Sequence, residues 1–230
     1  MVAISVALTF VCLVLMDLGI EKWKAWRVAH PAPAGGAGGE AMAHGYEGLC
    51  QVPEGVYISG QHTWAKRDPD GGLEIGADAL LVRAVGAVRQ ISLPQVGDLV
   101  TAGQPLCRLE HNGSGVTIRS ALTGRVMAIN SRLADRPELL SSDPYGSGWL
   151  CRLSPVGVDE VAPSLRFGQQ ASIWLENEFA RLRQFIFGHI SPDLALGVIS
   201  QDGGLPAVGC LGELGPTAWS AFEANFLHQP

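Results

Sequence analysis

Few side chains in this 230-residue sequence are placed for chemistry. The cysteines, Cys12, Cys50, Cys107, Cys151 and Cys210, are odd in number and none forms a C-x-x-C pair. That spacing does not fit a metal site; it reads as free, mostly buried thiols in a reducing compartment. His111 lies in no carboxylate–histidine or cysteine–histidine cluster and reads as a polar turn residue, while His62 reads as a packing residue. There is no G-x-x-x-x-G-K-S/T loop, G-x-S-x-G elbow or H-E-x-x-H helix. The sequence therefore predicts no catalytic residue, no metal and no cofactor. A net charge of −6 does not suggest a nucleic-acid surface. Lysine is confined to Lys22, Lys24 and Lys66, and none occurs from Arg67 to Pro230.

The elements that would position these groups begin with an apolar block. Hydrophobic residues make up 47% of the chain and charged residues only 17%, below the ~25% typical of soluble domains. Val2 to Ile20 has Asp17 as its only charge, and nineteen helical residues rise roughly 28 Å, close to the hydrocarbon thickness. No basic residue precedes the run, and no small-x-small site follows it, so a membrane anchor is expected rather than a cleaved signal. Lys22, Lys24 and Arg27 follow it, which predicts a cytoplasmic globular part at a bacterial-type inner membrane. Trp23 and Trp26 fit an interfacial aromatic anchor. Asp17 either sits near the helix end at little cost or contacts a neighbouring membrane helix. Residues 1–28 thus read as anchor and basic flank, and 29–55 as a Pro/Gly/Ala linker.

From residue 56 the pattern changes to short β-type runs broken by glycines. Val56–Ser59, Leu73–Ile75, Val85–Leu93, Pro105–Glu110, Thr117–Ser120 and Gly124–Ile129 predict strands of a β sandwich or barrel. Pro137–Leu140 suits a short helix with proline in its first turn, and Ser142–Gly146 has turn chemistry.

The stretches LPQVGDLVTAGQPLCRLE and SALTGRVMAIN resemble the two arms of the biotinyl/lipoyl hairpin. His62-Thr63-Trp64, and the string from Pro137-Glu138-Leu139 through Asp143-Pro144-Tyr145-Gly146 to Trp149-Leu150, resemble the glycine cleavage system H-protein. The resemblance covers about residues 56–155 and implies a mainly β, lipoyl-type barrel-sandwich fold. In that family the lipoyl lysine sits in an E-S-x-K-A turn. Aligned without a gap between Gly97 and Gly124, the corresponding turn here is Glu110-His111-Asn112-Gly113-Ser114, which puts Gly113 at the lysine position. Arginine cannot replace the lysine as the amide-forming nucleophile, because its guanidinium stays protonated. Asn112-Gly113 instead favours a tight hairpin turn.

Residues 156–230 read as a helical extension. Phe167–Phe187 carries Ile173, Trp174, Phe179, Leu182, Phe185 and Ile186 mainly on one face, with Gly188 as its stop. A second helix opens at Pro216 with Trp219, Phe222 and Phe226 in one stripe. These stripes either pack within the chain or dock on a partner or membrane surface. Asp17, Trp23, Trp26, Trp174, Phe185, Trp219, Phe222 and Phe226 are therefore the partner-contact candidates.

The expected function is that of a non-catalytic, membrane-anchored accessory subunit. Its partners would be the bilayer, through residues 2–20, and integral membrane subunits of a larger complex, for example a respiratory or photosynthetic electron-transfer assembly. The alternatives are a docking module for enzymes that recognise lipoyl domains, carrying no lipoate itself, and a small-molecule module using the cleft where a lipoyl arm would rest.

Overall fold

Alternating burial along short strands, with a glycine or proline at most breaks, resolves into two antiparallel sheets in the computed structural model. It describes residues 48–156, 165–189 and 205–228. The apolar run Val2–Ile20, its basic flank, Asp17, Trp23, Trp26 and most of the linker lie outside these. Among the described residues no helix is long and apolar enough to cross a membrane.

The first strands are β1 (Val56–Ile58), β2 (Thr63–Arg67) and β3 (Leu73–Ala77), followed by helix α1 (Ala79–Val85). Then come β4 (Gln90–Ser92), β5 (Leu99–Val100), β6 (Pro105–His111), β7 (Ser114–Arg119) and β8 (Gly124–Ile129). Two single-turn helices, α2 (Arg132–Asp135) and α3 (Leu139–Ser142), precede β9 (Cys151–Pro155) and β10 (Arg166–Phe167). The chain then forms α4 (Gly168–His189), α5 (Cys210–Glu213), α6 (Pro216–Phe222) and a π-helical turn, Glu223–Leu227. The larger sheet runs β10-β1-β2-β3-β9-β8-β5 and the smaller β4-β6-β7. Ala65, Ile75, Val126 and Leu153 from the first sheet pack with Leu106 from the second in one buried cluster. Each of the larger aliphatic side chains in it, valine, leucine or isoleucine, contributes about 1.5–3 kcal/mol by leaving water.

Three strand and helix expectations need correction. The strand expected at Val85–Leu93 is replaced by the end of α1 and the short β4. The residues before it, Leu80, Leu81, Val82, Ala84 and Val85, are all buried, so no period-2 alternation exists to make a strand. Asp78 starts the helix by accepting the Leu81 amide at 3.0 Å, and Gly86 ends it at φ 74°. The strand expected at Thr117 begins at Ser114, because the hairpin is tighter than its glycines suggest. Gly188 does not stop α4; the helix continues to His189, whose Nδ1 bonds the Phe185 carbonyl at 2.8 Å and satisfies one last-turn acceptor.

The H-x-W segment folds as β2. Trp64 is fully buried, and its indole donates to the Pro144 carbonyl at 2.9 Å. Asp143 accepts the Ser147 amide at 2.6 Å in the same loop, which is the turn chemistry expected there. Gly76 pairs directly across from Trp64, and a Cβ there would lie 2.4 Å from the ring. The indole thus occupies the space a side chain would take. Gly76→Ala is expected to cost about 1–3 kcal/mol by overpacking, read as a lower urea midpoint.

Candidate functional site: the hairpin tip and the helices beside it

The β6–β7 hairpin closes with His111 paired to Ser114, leaving Asn112 and Gly113 as a two-residue loop. Their φ values are 48° and 82°. Positive φ at both central positions is the type I′ turn, whose twist matches the strands it joins. Gly113 is exposed at the tip, and a Cβ there would meet no heavy atom within 4 Å. The site is therefore open in space but restricted in backbone. Gly113→Ala is expected to lower stability modestly, by roughly 1 kcal/mol, through its left-handed φ alone, checked by thermal unfolding.

One flank of this hairpin is covered by the C-terminal segment. The ring of Trp219 stacks on that of His111, with centroids 6.2 Å apart and planes 11° apart. The His111 Nδ1 also bonds the Ala87 carbonyl. β7 is an edge strand, and its Thr117 amide donates outward to Glu223 Oε2 at 3.1 Å. The segment is anchored further back by backbone contact. Gly209 donates to the Arg83 carbonyl at 2.8 Å, and a Cβ on Gly86 would lie 2.4 Å from the Gly209 Cα.

Behind this flank lies a buried charge cluster. His62 is fully buried in the turn before β2, with φ 59°. Its Nδ1 meets Asp78 Oδ2 at 2.7 Å and its Nε2 faces Glu178 Oε2 of α4 at 3.4 Å. Burial is the largest influence on the imidazole and pushes its pKa down. The charge and hydrogen bond of Asp78, with the Glu178 carboxylate facing the other ring nitrogen, together outweigh it and raise the value to about 9. The ring of Trp174 covers His62 at 5.0 Å and Phe226 lies at 6.0 Å. Glu178 also pairs with Arg181 at 2.9 Å, and Arg181 donates to the Asn225 carbonyl at 2.7 Å while lying over the Phe226 ring.

The sequence-based candidates therefore separate. Trp219, Phe222 and Phe226 are buried inside this chain, and Trp174 and Phe185 are partly covered by it. Phe185, Phe222 and Phe226 form an aromatic group, with Phe222 stacked on Phe226 at 4.7 Å. Asp17, Trp23 and Trp26 lie outside the described residues. His62 is more than a packing residue, since two carboxylates hold it. Glu178, read from the sequence as part of a polar face, is buried against it. The signal available for Asp78 was its place before a run that is apolar but for Arg83, the usual position of a helix N-cap. Cys50, Cys107, Cys151 and Cys210 are buried free thiols. Among the described residues no group of three His, Cys, Asp or Glu side chains is placed to hold a metal ion. A surface cleft of about 310 Å³ beside β5 and β6 is lined by Leu93, Pro94, Asp98 and Gln104 among others.

The family model of the glycine cleavage H-protein matches residues 56–178. This chain belongs to the glycine cleavage H-protein family. A probable glycine cleavage system H protein of Thermococcus gammatolerans is 32% identical over 130 residues, covering 56% of this chain and 96% of that protein. The glycine cleavage system H protein of Shewanella denitrificans is 34% identical over 113 residues, covering 49% of this chain and 88% of that protein. A crystal structure of a Mycobacterium marinum glycine cleavage system H protein aligns at 26% identity and a TM-score of 0.48, over 54% of this chain and 98% of that one. The H-protein match runs past residue 155, where the sequence motifs end, into the first half of α4. It therefore includes His62, Asp78 and Glu178, but not Trp219 or Glu223.

Proposed function

We propose that this chain is a non-catalytic H-protein-family subunit that carries no lipoyl arm. In this reading it serves as a membrane-anchored accessory subunit of a larger membrane complex. The observation that carries the reading is Gly113. The residue at the family's lysine position closes a type I′ turn, and no lysine follows Lys66 anywhere in the chain. A carrier arm needs an amine at the hairpin tip, and neither Asn112 nor Gly113 supplies one.

The anchor is supported by the apolar run Val2–Ile20 and the basic and aromatic residues after it. The H-like domain then acts as a scaffold on the cytoplasmic side, with integral membrane subunits as partners. An electron-transfer assembly is the narrower form of the same proposal.

The experiment is purification of the tagged chain in mild detergent, with intact mass and mass spectrometry of whatever co-migrates on a native gel. The expected result is an unmodified mass and stoichiometric integral membrane subunits. A lipoyl adduct would overturn the reading. Co-migration with soluble glycine cleavage enzymes alone would replace it with a docking module for those enzymes.

A further inference from the structure

The C-terminal segment beyond the family match is held over the hairpin by contacts that converge on one buried side chain. We propose that His62 is a charge-held latch that keeps residues 205–227 folded over the β6–β7 hairpin. Its release would expose one aromatic helix face and one strand edge. This goes beyond the accessory-subunit reading and does not depend on it.

The contacts form a continuous line. Asp78 caps α1 with one oxygen and holds His62 with the other. His62 faces Glu178, and Glu178 holds Arg181. Arg181 grips the segment through the Asn225 carbonyl and the Phe226 ring. The segment in turn places Glu223 on the Thr117 amide and Trp219 on His111. The His62 ring lies between the Asp78 and Glu178 carboxylates. Without its charge, two buried anions face each other across a neutral ring, and moving α4 outward relieves this most directly.

The other ionisable groups around the cluster do not substitute for it. Arg166 of β10 lies over the ring of Trp174 at 4.7 Å, and that ring packs on His62. Tyr145, whose hydroxyl accepts the Ala79 amide, and Cys50 both feel the Asp78 charge, and burial pushes both further toward their neutral forms. Arg181 already bridges Glu178 to the segment.

Release has defined consequences. Trp219, Phe222 and Phe226, now buried in the chain, would face outward on one helix. The outward amide of Thr117 would lose its acceptor, leaving β7 as an open edge of the three-stranded sheet. The Thr117 amide is therefore a built-in reporter, because a side chain of the segment, rather than a neighbouring strand, is its acceptor.

The test is amide hydrogen exchange on the full chain in mild detergent, following Thr117 and residues 216–227 against the β2–β3 pair. In His62→Gln the reporter and segment amides are expected to exchange at least ten-fold faster at pH 7, by a clearly larger factor than the β2–β3 amides, which report the loss of global stability. The wild type should show the same selective loss near pH 10, after correction for intrinsic exchange. Gly86→Ala, which pushes on Gly209 sterically, calibrates the released state. If His62→Gln does not fold, Glu178→Gln and Arg181→Met cut the line beyond Asp78–His62 and should each release the segment. Equal acceleration of segment and β2–β3 amides would overturn the proposal, as would unchanged segment exchange in both α4 variants.

Discussion

Replacing Asp78 with alanine is expected to lower the folding stability by about 3–5 kcal/mol, the range for breaking a buried ion pair by removing one partner. That is a large part of the ~5–15 kcal/mol that holds a domain together. Two losses combine. The Leu81 amide loses its cap, which alone costs ~1 kcal/mol, and His62 loses the nearer of its two counter-charges. Asp78→Asn separates the two. Its carboxamide oxygen can still accept the Leu81 amide, so the cap survives while the charge is gone. The wild-type pH profile gives the matching signature. His62 has its pKa raised in the fold to about 9 from the ordinary 6.5. The unfolded chain therefore releases the proton first as pH rises. The stabilisation from this group is full below pH 6.5, declines above it, and is gone once pH has passed about 9. A shift of this size corresponds to stabilisation on the order of 3 kcal/mol. Thermal melts from pH 6 to 10 should show that decline in the wild type and an earlier one in Asp78→Asn. A profile flat to pH 10 in the wild type would mean that the imidazole is neutral in the fold.

The sandwich was legible in the sequence because its strands obey local rules. β6, β8 and the Asn112-Gly113 turn follow from alternation, glycine breaks and a dipeptide that accepts positive φ, all within a few residues of each other. Gly113 was readable as the second residue of that turn for the same reason. Helix α1 was missed because a short run that is apolar but for Arg83 shows no clear period, and only the Asp78 cap marks its start. The His62 cluster was not legible. Its two carboxylates arrive from the start of α1 and from α4, and no local pattern announces a pair closed by tertiary packing. The stripe of Trp219, Phe222 and Phe226 was visible as a stripe, yet its acceptor was not. That acceptor is assembled from the β6–β7 hairpin and α4, two places far apart in the chain. Amphipathic pattern reports that a face must be covered and is silent on what covers it.

Trp64→Ala is expected to have an effect as large as the loss of Asp78, about 3–5 kcal/mol, for a different reason. The indole is the largest fully buried side chain among the described residues, and it fills the groove that Gly76 leaves open across the β2–β3 pair. Removing it empties a cavity whose floor is backbone. Because β2 and β3 are hydrogen-bonded there, the walls cannot close by a side chain turning inward. The lost indole also strands the Pro144 carbonyl, which ties the Ser142–Gly146 loop to the sheet. Trp64→Phe should recover much of the packing and none of that hydrogen bond, placing it between the two. The pair then offers a coupling test. Gly76→Ala is harmful only because the ring is in the way, so its cost should fall toward zero, or reverse, in a Trp64→Ala background. Urea unfolding of the four chains in that cycle measures the interaction directly. If the two costs simply add, Trp64 and Gly76 do not compete for the same space, and the tight groove is not what fixes the tryptophan against the sheet.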